Sequence, residues 1–170
     1  ENVDSPERLA SLIEAIKSVR SQWGYPIVVS THPRTRKQLA SIPGSMDLEG
    51  VLFHEPFGFF DYIKLQMNST CVLSDSGTIS EEAIILGFPA VTIRDSMERP
   101  EALDFGGIVM TGLEPNEVVS GVAFAIETKP ESGRDGPNGY EVTDCSSRVI
   151  KFMLSTISKH HDWSGIRSRS

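Results

Sequence analysis

Apolar positions along the chain recur in two rhythms. Leu9, Leu12, Ile13, Ile16 and Val19 return at helical spacing and predict one buried stripe. Ser5-Pro6-Glu7 marks the start of that helix with a hydroxyl cap, a proline at the first helical position and an acid in the first turn. Gly24 ends it. Short β-branched runs then alternate with further helical stretches. Pro26 to Ser30 (PIVVS), Val51 to His54, Thr70 to Leu73 (TCVL), Ala90 to Ile93 and Gly107 to Met110 read as buried strands. Between and after them, helices are expected over Thr35–Ala40, Phe59–Met67, Thr78–Leu86 and Pro115–Glu127. Gly87 closes the third of these.

From Lys129 to Gly139 the composition shifts to proline, glycine, serine and charge (KPESGRDGPNG), the signature of a mobile loop. Asp144 then caps a last helix whose apolar face is Val149, Ile150, Met153, Leu154 and Ile157. The tail from His160 to Ser170 carries no period. Strands and helices alternate at spacings that imply right-handed crossovers. The expected fold is an α/β, Rossmann-like, doubly wound parallel sheet forming one domain over residues 1–159, followed by an irregular tail over 160–170.

Length and composition add limits. At 170 residues the chain supports one domain with a real core. A net charge of −7 speaks against general nucleic-acid or anionic-membrane binding, so any anionic ligand must be held by local donors. Cys71 and Cys145 have no metal or redox spacing and read as two reduced, buried thiols of a cytosolic protein. No signal peptide and no apolar run of spanning length is visible. The chain opens on Glu1 rather than methionine and is expected to be a piece of a longer protein.

In such a sheet, ligands sit beyond the C-terminal ends of the strands. Those ends carry Thr31-His32-Pro33-Arg34, His54-Glu55-Pro56, Asp75-Ser76-Gly77-Thr78 and Arg94. Ser76-Gly77-Thr78 falls at a turn from strand to helix, where unpaired N–H groups and the macrodipole receive phosphate; a plain helix cap accounts for the same residues. The stretch is neither a P-loop nor a dinucleotide fingerprint. Glu81 and Glu82 point about 100° apart, so they are not a paired acid/base couple. They are either acids favoured by the helix dipole, or one of them accepts hydrogen bonds from sugar hydroxyls. Asp75 reads as a structural cap. The run IRDSMERPE at 93–101 sets two arginines and three acids after a core strand, either as a solvated loop or as a diphosphate site. His32 reads either as a surface histidine or as a ligand contact.

SDSGTISEEA at 74–83 and IRDSMERPEA at 93–102, in this order and spacing, closely resemble the non-hydrolysing UDP-N-acetylglucosamine 2-epimerase family. The likeness extends through THPRT at 31–35 and LGFPAVTIR at 86–94. The resemblance implies the C-terminal half of a two-domain GT-B enzyme, an isomerase. It inverts C2 of a UDP-N-acetylhexosamine by proton removal, elimination of UDP and re-addition, for cell-surface polysaccharide precursors. It implies no metal and no cofactor, a cytoplasmic location, an N-terminal domain of the same protein as partner, and a homodimer at full length. By matching motif, Ser76, Gly77 and Thr78 would contact the diphosphate, Glu82 the ribose hydroxyls, and Arg99 would complete the UDP site. Tyr62 falls near an aromatic flanking the base, and His32 matches a histidine that touches a second, allosteric nucleotide-sugar in some relatives.

The family brings its acid/base groups from the N-terminal domain and carries an H-R-E-E-N stretch whose end is similar to Glu1-Asn2. The fragment alone is therefore expected to be inactive, with no catalytic residue assigned within it. Thr78 stands where the commonest members have a second glycine. That change and Trp163 look more like the branch that forms UDP-N-acetyl-L-fucosamine, although UDP-N-acetylglucosamine 2-epimerase remains the expected label. The alternatives are the C-terminal domain of a GT-B glycosyltransferase and a non-catalytic nucleotide-binding module. The E-R-P-E loop favours the epimerase over the glycosyltransferase, and a ligand titration separates it from the module, which would lack UDP affinity.

Overall fold

The computed structural model of the protein describes residues 5–129, 140 and 142–165. The chain falls into two compact units, residues 1–138 and 139–170. The first unit alternates helix and strand in the order α1 (Pro6–Trp23), β1 (Ile27–Ser30), α2 (Pro33–Ala40), β2 (Val51–His54), α3 (Phe59–Asn68), β3 (Val72–Ser74), α4 (Ile79–Leu86), β4 (Ala90–Thr92), α5 (Glu101–Asp104), β5 (Val109–Met110) and α6 (Pro115–Glu127). Each strand–strand pairing is parallel, as the alternation demands. The strands form two pieces rather than one continuous ladder: β1 with β2, and β3-β4-β5 with β4 in the middle.

Local signals explain the ends of the elements. At the start of α1 the Ser5 hydroxyl accepts from the Arg8 amide at 3.4 Å, satisfying one of the helix's open donors. Gly24 and Gly87 close α1 and α4 in the left-handed region, at φ 70° and 73°, where a Cβ would be strained. The four-residue α5 is too short to show a period in the sequence.

The core lies between the β3-β4-β5 sheet and the pair α1 and α6. Ala15 of α1 packs with Val91 and Ile93 at β4, Leu113, and Val118, Val122 and Ala125 of α6. Val91 and Val118 are fully buried, and burial of a valine stabilises the fold by about 1.5–3 kcal/mol. Gly121 sets how closely α6 lies on the sheet. A Cβ there would stand 2.5 Å from Thr111 Cγ2 and 3.3 Å from Val109 Cγ1. A second cluster joins Leu9 and Ile13 of α1 to Leu39 of α2, with Leu12 and Phe53 packed against it.

In the second unit, α7 (Cys145–Thr156) begins at Asp144 and α8 (His160–Trp163) follows after a turn. Asp144 stands at the cap position, but its carboxylate takes the Arg148 guanidinium at 2.8 Å instead of a backbone amide. The apolar face of α7 is exposed throughout, from Val149 to Ile157. The described residues of this unit offer no second layer to cover it. Cys145 is likewise exposed, which corrects the expectation of two buried thiols; Cys71 is mostly buried. The expected loop at 129–139 lies, from Pro130 on, outside the described residues, as do Glu1–Asp4 and the end of the tail. Among the described residues no helix is long and apolar enough to cross a membrane.

Candidate functional site

The turn from β3 into α4 is built by short polar side chains that fold back on the backbone. The Ser74 hydroxyl accepts from the Ser76 amide at 3.1 Å, and the Ser76 hydroxyl accepts from the Thr78 amide at 3.3 Å. These bonds hold the segment open just ahead of the first turn of α4, where helix amides lack internal partners. Thr78 stands at the cap position of α4 and makes no side-chain capping bond. Asp75, expected as the cap, instead lines a cavity of about 420 Å³ together with Gly77, Thr78, Arg94, Glu98 and Arg99.

Gly77 is the floor of this cavity. A Cβ built on it would lie 3.5 Å from Arg94 Nη1, 3.9 Å from Arg99 Nη2 and 3.9 Å from Glu98 Oε2. These are ordinary contact distances, and they place two guanidinium groups and a carboxylate over the turn. Arg94 leaves the end of β4 and pairs with Glu98 through both nitrogens of its fork, at 2.8 and 2.6 Å. Such a planar two-point grip is the geometry that also suits phosphate. The Arg94 side chain is only 12% exposed, so its charge is aimed into the cavity rather than into bulk solvent. The hydrogen bond from Arg94 holds the Glu98 carboxyl below its ordinary range. Arg99 donates through Nε to Glu81 and through Nη2 to the Gly77 carbonyl, fastening the E-R-P loop to the start of α4.

The two adjacent glutamates therefore divide. Glu81 turns to Arg99 and also accepts from the Ser80 hydroxyl at 2.9 Å. Glu82 accepts from the Thr78 hydroxyl at 2.7 Å and from the Gln66 amide of α3 at 2.7 Å. Gln66 is buried, and its own carbonyl oxygen has no partner within the described residues. Tyr62, one turn earlier on α3, has its phenol pushed above the ordinary range, first by burial and then by the charges of Glu82 and Asp75. Ser76, Gly77, Thr78, Glu82, Arg99 and Tyr62 thus gather around one turn.

His32 stands apart from that cavity. It is the residue before α2, and its Nδ1 accepts from the Arg34 amide at 3.3 Å. Sequence reasoning passed over Gln66, whose glutamine looks like any polar position on a helix, and the pairing of Glu81 with Arg99. No group of three or more histidine, cysteine or acidic side chains that could hold a metal occurs among the described residues.

The chain matches the family model described as UDP-N-acetylglucosamine 2-epimerase over residues 1–154. A UDP-N-acetylglucosamine 2-epimerase of Methanocaldococcus jannaschii is 30% identical over 156 residues, spanning 90% of this chain and 42% of the relative. Among solved structures, a UDP-N-acetylglucosamine 2-epimerase from Rickettsia bellii superposes with a TM-score of 0.75 at 35% identity, covering 92% of this chain and 43% of that one. The M. jannaschii enzyme in complex with UDP-GlcNAc and UDP superposes with a TM-score of 0.74 at 28% identity, covering 91% and 42%. The chain spans less than half the length of the relatives it matches.

Proposed function

The chain belongs to the UDP-N-acetylglucosamine 2-epimerase family, and from that premise we propose that it is the UDP-binding, C-terminal GT-B domain of such an enzyme. The observation that carries the reading is the convergence of Arg94, Arg99 and the start of α4 on the bare backbone of Gly77. A nucleoside diphosphate meets helix amides, hydroxyls of Ser76 and Thr78, and two guanidinium forks there. The M. jannaschii relative, solved in complex with UDP-GlcNAc and UDP, supports this ligand class. Glu82, steadied by Thr78 and Gln66, accepts from the ribose hydroxyls, and Tyr62 borders the same end. His32 is carried as a contact to a second nucleotide-sugar.

In the proposed reaction a base removes the proton at C2, the C1–O bond breaks with its electron pair passing to UDP, and a glycal remains. Return of UDP to C1 and of a proton to the opposite face of C2 gives the epimer. This domain stabilises the charge that develops on the leaving diphosphate. It is poorly equipped for the proton transfers. Glu81 is tied to Arg99, Glu82 to Gln66 and Thr78, and Glu98 to Arg94, which keeps its carboxyl ionised rather than poised as an acid. The acid/base groups come from the N-terminal domain of the same protein. The full-length enzyme acts in the cytoplasm as a homodimer on a UDP-N-acetylhexosamine.

Calorimetric titration of the full-length protein with UDP and UMP tests the assignment. Glu82→Ala is expected to weaken UDP about tenfold to a hundredfold, the range for losing a charge-assisted hydrogen bond. UMP, lacking the second phosphate, binds more weakly than UDP. Unchanged UDP affinity in Glu82→Ala, with UMP and UDP binding alike, would remove both the ribose and the diphosphate assignments.

A further inference from the structure

We infer, building on the proposed reading of Glu82 as the ribose acceptor, that Gln66 is a positioning residue of the site. Its side-chain amide anchors the Glu82 carboxylate, and that anchoring makes the site select a ligand with ribose hydroxyls over one without them.

The helix that carries Gln66 is turned inside out around it. Phe59, Phe60, Leu65 and Met67 of α3 are exposed, while Gln66 is the buried position of the helix, at 2%. A buried polar side chain beside exposed apolar ones runs against the usual partition and calls for a reason. Helix geometry supplies part of it. Tyr62 and Gln66 stand four residues apart on one face of α3, and both look toward Glu82. Burial first, and then the Glu82 charge, push the Tyr62 phenol up, and the Gln66 amide nitrogen donates to Glu82 Oε2 at 2.7 Å.

The other half of the same amide is left over. Gln66 Oε1 is buried and has no hydrogen-bond partner among the described residues. A buried acceptor without a donor loses its hydration for nothing, and an apolar side chain of the same length avoids that loss. Methionine has the same reach and a similar helix propensity. Gln66 is therefore a poor choice for packing and a good one for holding a carboxylate. A buried polar group that packing does not explain is where local rules give way to function.

The two donors to Glu82 differ in kind. Thr78 lines the cavity, and its hydroxyl, which reaches Glu82 Oε1 at 2.7 Å, also stands 3.1 Å from the Ser76 hydroxyl. It has a second partner to turn to and can yield Oε1 to a ligand. Gln66 lies out of solvent, and its backbone carbonyl accepts from the Ser69 hydroxyl at 2.8 Å where α3 ends. Oε2 is thus the anchored oxygen of Glu82, and Oε1 is the one presented on the cavity side. A carboxylate held at one oxygen offers the other at a defined place, so a ribose hydroxyl donates to it without first ordering the side chain. Released from Gln66, the partly exposed Glu82 turns to water and the hydroxyls lose a fixed acceptor.

Titration calorimetry on the full-length protein with UDP and 2′,3′-dideoxy-UDP, for the parent, Gln66→Met and Glu82→Ala, tests the inference. The parent is expected to prefer UDP by about tenfold to a hundredfold, the range for hydrogen bonds to a charged acceptor. In Gln66→Met the preference falls below about threefold through weaker UDP binding, while affinity for the dideoxy compound stays within about twofold. The melting temperature stays within roughly 2–4 °C of the parent's, because the unpartnered oxygen leaves together with the bond to Glu82. Glu82→Ala separates this inference from the reading beneath it. Loss of the preference in Glu82→Ala but not in Gln66→Met leaves Glu82 as the ribose acceptor and overturns the role of Gln66 alone. Retention of the preference in Glu82→Ala removes the ribose assignment and the role of Gln66 with it. Equal weakening of both ligands in Gln66→Met, with a large fall in melting temperature, makes Gln66 a core residue and overturns the inference as well.

Discussion

Arg99→Lys keeps the positive charge of the cavity and removes its fork. In the structure, Arg99 reaches two acceptors at once, the Glu81 carboxylate through Nε and the Gly77 carbonyl through Nη2. A single ammonium serves one of them, or one phosphate oxygen, but cannot bridge both. The side chain is half exposed, so the cost to folding is small, at most about 1 kcal/mol for a solvent-screened pair. For a protein of this size class that shifts the melting temperature by roughly 2–4 °C. Binding is affected more strongly. Loss of one charge-assisted bond to a diphosphate costs about 1.5–3 kcal/mol, or roughly tenfold to somewhat over a hundredfold in Kd. Titration calorimetry with UDP on the full-length variant reads the second quantity and thermal unfolding the first. Arg148→Lys is the control, since among the described residues Arg148 pairs with Asp144 on an exposed helix of the other unit. A large fall in stability without loss of UDP affinity, or equal effects of the two substitutions, would show that the E-R-P loop is a structural clasp and not a ligand site.

Two further expectations concern the fold itself. Gly121→Ala drives a methyl against Thr111 and Val109, and overpacking of about 1–3 kcal/mol outweighs a helix-propensity gain of up to about 1 kcal/mol; a melting temperature equal to or above the parent's would contradict this. Burial pushes the Cys71 thiol up to about 12 from 9.0, so it resists alkylation at pH 8 in the native protein while exposed Cys145 reacts. Because the folded value is the raised one, the stability linked to Cys71 is fully present below pH 9 and is lost as pH rises from there toward 12. Unfolding curves for Cys71→Ala that fall as steeply over that window as the parent's would refute the assignment.

Where the sequence carried a helical period, a helix forms, but two of the expected caps, Asp75 and Asp144, turn to other partners. Ser5-Pro6, Gly24 and Gly87 bound their helices as local chemistry requires. Strand ends shifted by a residue or two, as with Thr70–Leu73 against Val72–Ser74, because short apolar runs do not mark where pairing begins. The turn at Ser76-Gly77-Thr78 was legible because small polar residues after a strand have few other uses. What could not be read was partnership across the chain. Neighbouring Glu81 and Glu82 look equivalent in sequence, yet their directions on α4 send one to Arg99 and the other to Gln66. The break between β1 and β3 was equally invisible, since alternation of helix and strand reveals crossovers but not which strands pair.

The proposed function sets UDP binding in this domain and proton transfer in the remainder of the protein. Epimerisation of UDP-N-acetylglucosamine in heavy water, with deuterium at C2 followed by NMR, tests that division most directly. The full-length protein is predicted to place solvent deuterium at C2 of the inverted product, and the 170-residue chain alone to place none. Deuterium appearing at C2 with this chain alone, at a rate near that of the full-length protein, would contradict it.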